Sequence, residues 1–321
     1  MTLIKECQQM SAPDTEGLSI QKERVFLGAG KEKIVFEYTE KHVGINAQPG
    51  RERGLAEECQ KIQVIRKNIS GTKDEECKYL ALDMIRLNPG DEFQYTALKC
   101  KKDLTALLSE GMDLDLAYDL GENILAGGSA LHSAGFVHGD LKPDNIFIYL
   151  ENGKYIAKVG DFGKAKPLDA GEQMIMSGNA SHSPPEQVLS RASDVYGFGL
   201  LLIRIFEAGS DISADQGIHR VLPKKTSALT VFSRVIGLVT SGNVAVANRQ
   251  QNIYDHIDQL RVSDNIKNLL KKMTSNDPSV RPSLDEALEE YKKYRENQSG
   301  YFAENDEPND SFSRKSFFRA V

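Results

Sequence analysis

The chain of 321 residues is expected to be an α+β protein of two lobes, a small β-rich one followed by a larger, mainly helical one. Three observations carry this. Short strand-like apolar runs, each stopped by turn residues, fill the chain as far as Asn88-Pro89-Gly90. Helical spacing of apolar residues takes over beyond that point. The length is large for one compact core and suits two packed lobes.

The elements follow in order. Residues 1–21 are polar and read as an N-terminal extension. Arg24-Val25-Phe26-Leu27 is a short strand-like run, followed by Gly28-Ala29-Gly30. Ile34–Tyr38 and Val43–Ala47 read as the next two strands, around a turn at Thr39-Glu40-Lys41. Residues 53–66 suggest a helix, with Leu55, Cys59, Ile62 and Ile65 near one face. Tyr79–Ile85 is an apolar run of strand length. The β-rich lobe is therefore expected over residues 22–86 and the helical lobe over 87–296. In the latter, Leu116, Leu120, Ile124 and Leu131 mark one helix face, which Gly127 and Gly128 weaken by ~1 kcal/mol each. Ile146–Tyr149 and Ile156–Val159 form two strands around Glu151-Asn152-Gly153. Residues 194–207 form a strongly apolar helix, and Ser283-Leu284-Asp285-Glu286 is a capping box before the last helix. Residues 297–321 read as a disordered tail, with a basic, aromatic end that suits binding a partner.

Composition narrows the function classes. Apolar residues make up 40% and charged residues 27%, as in a folded, soluble protein. A net charge of −6 gives no general pull toward nucleic acid or anionic membranes. No apolar run reaches the ~18 residues of a membrane span, and the first residues do not read as a signal peptide. The four cysteines make no CxxC pair and read as reduced cytoplasmic thiols. Delivery into a host cell by a specialised secretion system is compatible with all of this.

The chemistry concentrates in His138-Gly139-Asp140-Leu141-Lys142-Pro143-Asp144-Asn145. Asp140 can accept a proton from an attacking hydroxyl, Lys142 can screen a moving phosphoryl group, and Asn145 can hold a metal ion. Asp161-Phe162-Gly163 then offers a second metal ligand. On these residues the chain resembles the eukaryotic-type Ser/Thr protein kinases. The resemblance spans about residues 22–296 and implies a two-lobed kinase fold, with a small antiparallel sheet lobe holding one helix. It implies ATP and Mg²⁺ (or Mn²⁺) as cofactors and protein substrates as partners. Asp140 would be the catalytic base, Lys142 the contact to the transferred group, and Asn145 and Asp161 the metal ligands.

One departure matters. In the family the third strand carries a Lys in a Val-Ala-Ile-Lys run, which pairs with the phosphates and a helix Glu. Here the matching run is Val43-Gly44-Ile45-Asn46. The third glycine of the phosphate loop is missing too, and Lys33 stands in its place. This swap is similar to that of the with-no-lysine kinases, which implies Lys33 as the phosphate-pairing lysine. Glu58 is its best helix partner and Glu57 the alternative. A surface lysine in a charged loop is the competing reading of Lys33.

The resemblance assigns the remaining positions. Gly28 and Gly30 would admit the phosphates, with Leu27 and Val35 over the adenine. Asp83-Met84-Ile85 would be the hinge, Asp83 and Ile85 offering backbone groups to the base, and Leu82 the gatekeeper. Ser183-Pro184-Pro185-Glu186 resembles the end of an activation segment, with Arg281 as partner of Glu186. Asp194 resembles the helix-start residue that braces the catalytic loop. Lys142 fits the Ser/Thr pattern. Gly139 replaces the usual Arg, so phosphate at Ser177, Ser181 or Ser183 should matter less for activity. Two alternatives stand beside this reading: a pseudokinase scaffold, favoured by Asn46, and a small-molecule phosphotransferase, which also uses His-Gly-Asp but lacks the Glu186, Asp194 and Arg281 features. The unusual residues 208–262 suit a divergent kinase such as a bacterial effector.

Overall fold

The computed structural model describes residues 25–69, 75–175, 184–210 and 239–305. Strands β1 (Phe26–Ala29), β2 (Lys33–Glu37) and β3 (His42–Ala47) pair antiparallel in succession. Helix α1 (Glu52–Ile69) follows and buries Leu55, Cys59, Ile62, Ile65 and Ile69. These residues share a core with Ile45 and Tyr95 of the sheet. Glu58 lies on the same buried face, so its carboxylate requires a cationic or hydrogen-bonding partner.

The run Tyr79–Ile85, expected as a single strand, is divided. A 3₁₀ turn occupies Glu76–Tyr79, Leu80 makes one bridge to Val159, and β4 is only Ile85–Arg86. Asn88-Pro89-Gly90 closes a hairpin and not a lobe, with Gly90 at φ 101°, where a side chain would strain the turn. The chain returns as β5 (Tyr95–Leu98), which pairs with β3 and β4 and completes the order β1-β2-β3-β5-β4. The sheet thus extends to Leu98, past the boundary expected at residue 86. The chain leaves it through Lys99, Cys100 and Lys101 to reach β6 (Lys102–Asp103).

Helices α2 (Leu104–Glu110) and α3 (Leu114–Ser133) begin the second lobe. Short strands β7 (Phe136–Val137), β8 (Ile146–Glu151), β9 (Lys154–Val159), β10 (Lys166–Pro167), β11 (Met174–Ile175) and β12 (Val188–Leu189) follow. Then come α4 (Arg191–Gly209), α5 (Val239–Asp258), α6 (Asp264–Met273) and α7 (Leu284–Asn305). Helix α3 lies at the centre, packed against α4, α7 and β9. The capping box before α7 forms in both directions, Glu286 N to Ser283 Oγ at 3.2 Å and Ser283 N to Glu286 Oε2 at 2.8 Å. This helix continues to Asn305, so it takes in the first part of the segment expected as a tail. The extension at 1–21, the end of the tail at 306–321, and Ser177, Ser181 and Ser183 lie outside the described residues.

The two helix-weakening glycines of α3 have a packing reason. A Cβ at Gly127 would sit 2.5 Å from the backbone oxygen of Tyr79, and one at Gly128 would sit 2.5 Å from the Phe198 ring. Gly127→Ala should therefore destabilise the protein by ~1–3 kcal/mol despite its better helix propensity. Urea unfolding of the two forms tests this; an unchanged or higher midpoint contradicts the packing argument.

Candidate active site

The segment after β7 is positioned from below by α4. Asp194, in the first turn of that helix, is only 3% exposed. Its carboxylate accepts from His138 N at 2.6 Å and Gly139 N at 3.1 Å, and faces His132 Nε2 at 3.2 Å. His138 extends the bracing. Asp140 N donates to His138 Nδ1 at 3.2 Å, which makes Nε2 the protonated nitrogen, donating to Gly160 O at 2.8 Å. One neutral imidazole so ties the loop to the residue preceding Asp161. Gly139 has φ 73°, and a Cβ there would sit 3.1 Å from Leu189 Cδ1. Any side chain at this position would be strained.

Asn145 holds Asp140 from the other end of the loop. Its Nδ2 donates to Asp140 O at 2.7 Å and lies 3.4 Å from Asp140 Oδ2. Gly160 N in turn donates to Asn145 O at 2.9 Å. Two lysines face the Asp140 carboxylate, Lys164 Nζ at 2.7 Å from Oδ1 and Lys142 Nζ at 3.5 Å from Oδ2. Burial would raise the Asp140 pKa. The hydrogen bond from Lys164 and the charges of Lys142 and Lys164 outweigh it and hold the carboxyl below its usual range. Asp161 follows in the left-handed region, φ 60° and ψ 70°, a conformation uncommon for a residue with a side chain.

Lys33 joins the two lobes. Its Nζ lies 2.8 Å and 3.1 Å from the two oxygens of Glu58, and 3.3 Å from Asp161 Oδ1. Burial alone would lower its pKa, but the charges of Glu58 and Asp161 hold the ammonium above its usual value. Glu57, the alternative partner, pairs instead with Arg53 at 2.8 Å on the surface of α1.

Asn46 stands on the other face of the sheet. Lys33 pairs with Ala47 and Ile34 with Asn46 in the β2–β3 register, and paired residues share a face. Lys33, Val35, Ile45 and Ala47 thus face one way, and Ile34, Phe36, Gly44 and Asn46 the other. The Asn46 carbonyl accepts from Gln94 N at 2.9 Å. Phe93 lies across Gly44, where a Cβ would come within 2.3 Å of its ring. The β3 residue that faces Lys33 is Ala47, so the third strand supplies no Lys or Arg there, and Asn46 lies on the other face.

The other expected positions divide. Gly28 and Gly30 leave open space where a Cβ would project, and Gly30 N donates to Lys33 O at 2.9 Å in the β1–β2 turn. Leu27 is 44% exposed beside them, and Val35 is half-buried. Asp83 and Ile85 do not form the interlobe connection. Ile85 is in β4, paired with Thr96, and the Asp83 carboxylate accepts from Leu98 N. Leu82 belongs to the core. The connection is Lys99–Lys101, because the β4–β5 hairpin returns the chain to the sheet first. Lys164 went unnoticed in the sequence, where only its place next to Gly163 distinguishes it from other charged loop residues.

Glu186 and Arg281 meet across 95 residues, Nη1 to Oε1 at 2.6 Å and Nη2 to Oε2 at 2.9 Å. The Arg281 side chain is fully buried and also donates to Ala192 O at 2.9 Å and Ser275 O at 2.9 Å. Glu186→Ala should cost ~3 kcal/mol by stranding a buried guanidinium, and adding Arg281→Met should recover part of the loss. Urea midpoints of the single and double variants measure this; strictly additive losses contradict it.

Among the described residues no helix is long and apolar enough to cross a membrane. The protein kinase domain family matches residues 33–291. The chain is 28% identical over 190 residues to the interferon-induced, double-stranded RNA-activated protein kinase of Mus musculus, covering 57% of this chain and 30% of that one. It is 25% identical over 189 residues to the calcium/calmodulin-dependent protein kinase type 1 of Caenorhabditis briggsae, covering 56% and 49%. The serine/threonine-protein kinase Pkn1 of Myxococcus xanthus is 40% identical over 85 residues, covering 24% and 12%. The chain thus spans less than half the length of each of these relatives. The match over residues 33–291 includes both lobes and every charged residue of the site, and the chain belongs to the protein kinase family.

Proposed function

We propose that this chain transfers the γ-phosphoryl group of ATP to serine or threonine hydroxyls of proteins. The observation that carries the reading is the meeting of Lys33, Glu58 and Asp161 beside the Asp140–Asn145 pair. In this reading Lys33 supplies the phosphate-pairing charge from β2, and Glu58 keeps its ammonium over the site. Asp140 accepts the hydrogen of the attacking hydroxyl and orients it. Lys164 and Lys142 hold that carboxyl below its usual range, which favours the ionised form that accepts such a hydrogen bond. Lys142 lies beside that carboxylate and can follow the transferred group.

The donor set fits a hard cation that shares its shell with phosphate. Asn145 offers a carbonyl and Asp161 a carboxylate, and among the described residues there is no cluster of three or more His, Cys, Asp or Glu. Two protein oxygens completed by phosphate and water suit Mg²⁺ or Mn²⁺ better than an all-protein cage. Bound there, the ion would neutralise charge on the phosphates. Leu27 and Val35 would cover the adenine, and the backbone of Lys99–Lys101, in place of Asp83 and Ile85, would meet its edge.

The pseudokinase reading rests on the absence of a third-strand lysine; the contacts of Lys33 with Glu58 and Asp161 support the active reading instead. The Glu186–Arg281 pair favours a protein acceptor over a small molecule. Lys33→Ala and Asp140→Ala should each lower kcat/KM for phosphoryl transfer ~10²-fold or more. Asn46→Ala should stay within about threefold of wild type, the scale of a lost exposed hydrogen bond. Adding Asn46→Lys to Lys33→Ala should not restore activity. Transfer of ³²P from labelled ATP to a Ser/Thr peptide library measures all four. A fully active Lys33→Ala, or rescue by Asn46→Lys, would sink the displaced-lysine assignment.

A further inference from the structure

Resting on the kinase reading above, we propose that Lys164 is a specificity-determining residue that selects acceptor hydroxyls flanked by anionic side chains. The two oxygens of Asp140 have different surroundings. Oδ2 lies 3.4 Å from Asn145 Nδ2 and 3.5 Å from Lys142 Nζ. Oδ1 is met, among the described residues, by Lys164 at 2.7 Å. A hydroxyl that bonds Oδ1 therefore takes the place of the Lys164 ammonium.

That displacement is easy. The Lys164 side chain is 66% exposed, and Asp140 is its only bonded partner among the described residues. An exposed ion pair of this kind holds weakly. The displaced ammonium stays anchored at a short 3₁₀ turn, Phe162–Lys164, beside the reacting groups. Residues next to the acceptor lie about 3.8 Å away per Cα step, within the sweep of a lysine side chain. An anionic neighbour gives the ammonium a replacement for Asp140, and a cationic neighbour repels it.

The surrounding charge points the same way. Lys61 of α1 donates to Gly163 O at 2.5 Å and pairs with no carboxylate among the described residues. Lys166, two residues beyond Lys164, is exposed. Burial and the charge of Lys166 lower the pKa of Lys61, against the opposing charges of Glu57 and Glu58. Lys164 and Lys166 on the segment, with Lys61 on α1 bonded to Gly163 O, add positive charge beside the site. Charge complementarity of this kind affects partner choice more than raw affinity.

The test compares serine peptides of one length that differ only beside the acceptor: neutral, Asp/Glu, phosphoserine, or Lys/Arg. Wild type should favour the Asp/Glu and phosphoserine peptides over the Lys/Arg peptide in kcat/KM by about three- to tenfold, an advantage that shrinks with salt. The Asp/Glu and phosphoserine arms separate a requirement for carboxylate from one for phosphate. Lys164→Arg should keep the preference and Lys164→Glu should reverse it, whatever each does to the absolute rate. An identical ratio of acidic to basic peptide in wild type and Lys164→Glu overturns the inference while leaving the kinase reading intact. Transfer to none of the peptides, with ATP still bound, overturns the kinase reading and this inference with it.

Discussion

The loop His138–Asn145 depends on one buried charge. Asp194 sits in the helical lobe, almost without solvent, and its carboxylate is offset by two backbone N–H groups and a histidine. A lone carboxylate at that depth would be very costly, and the hydrogen bonds make it tolerable only in one loop conformation. The consequence reaches the chemistry through short steps. His138 and Gly139 are held by Asp194, and His138 holds both Asp140 N and Gly160 O. Asp140 and Asp161 are thereby referred to the same rigid helix start.

That helix start has a second use. Arg281 anchors to Ala192 O, in the same turn as Asp194, and grips Glu186 with two parallel bonds. Its guanidinium also lies 4.9 Å from the Tyr196 ring centroid. The far end of the segment that begins at Asp161 therefore docks onto the first turn of α4, beside the anchor of the catalytic loop. The upper lobe is coupled differently, through side chains of β2 and α1: Lys61 Nζ donates to Gly163 O, Asn68 Nδ2 to Ala134 O, and Lys33 bridges two carboxylates. Lys33 carries Glu58 from α1 to Asp161, so movement of α1 would break the bond that closes the site.

Periodicity made most elements legible. The apolar spacing of α1, the capping box of α7 and the turn between β8 and β9 are local features, set by neighbouring residues. The hairpin β4–β5 was not legible. Its second strand is only Tyr95–Leu98, with Thr96 interrupting the apolar residues, and its pairing with β3 is long-range. Without that strand, the sequence puts the interlobe connection one hairpin too early, at Asp83–Ile85. The face of Asn46 was hidden for a related reason. A shift of one residue in strand register moves every side chain to the other side, and a run of similar apolar residues does not show which register holds.

Residue chemistry, read from the sequence alone, determined the candidate reaction centre. Asp140, Lys142, Asn145 and Asp161 stand at spacings too specific for an ordinary surface loop, and Lys33 fills a place where a glycine is usual. These could be read because the catalytic loop is one continuous stretch and each functional group sits on a named residue type. Tertiary structure decided what those groups face. It placed Lys33 against Glu58 instead of Glu57, turned Asn46 away, moved the connection to Lys99–Lys101, and laid Lys164 on Oδ1 of Asp140. Each of these is a contact between segments far apart in the chain or a choice between two faces. Sequence spacing constrains neither, because both follow from how the sheet pairs and how α1 packs upon it.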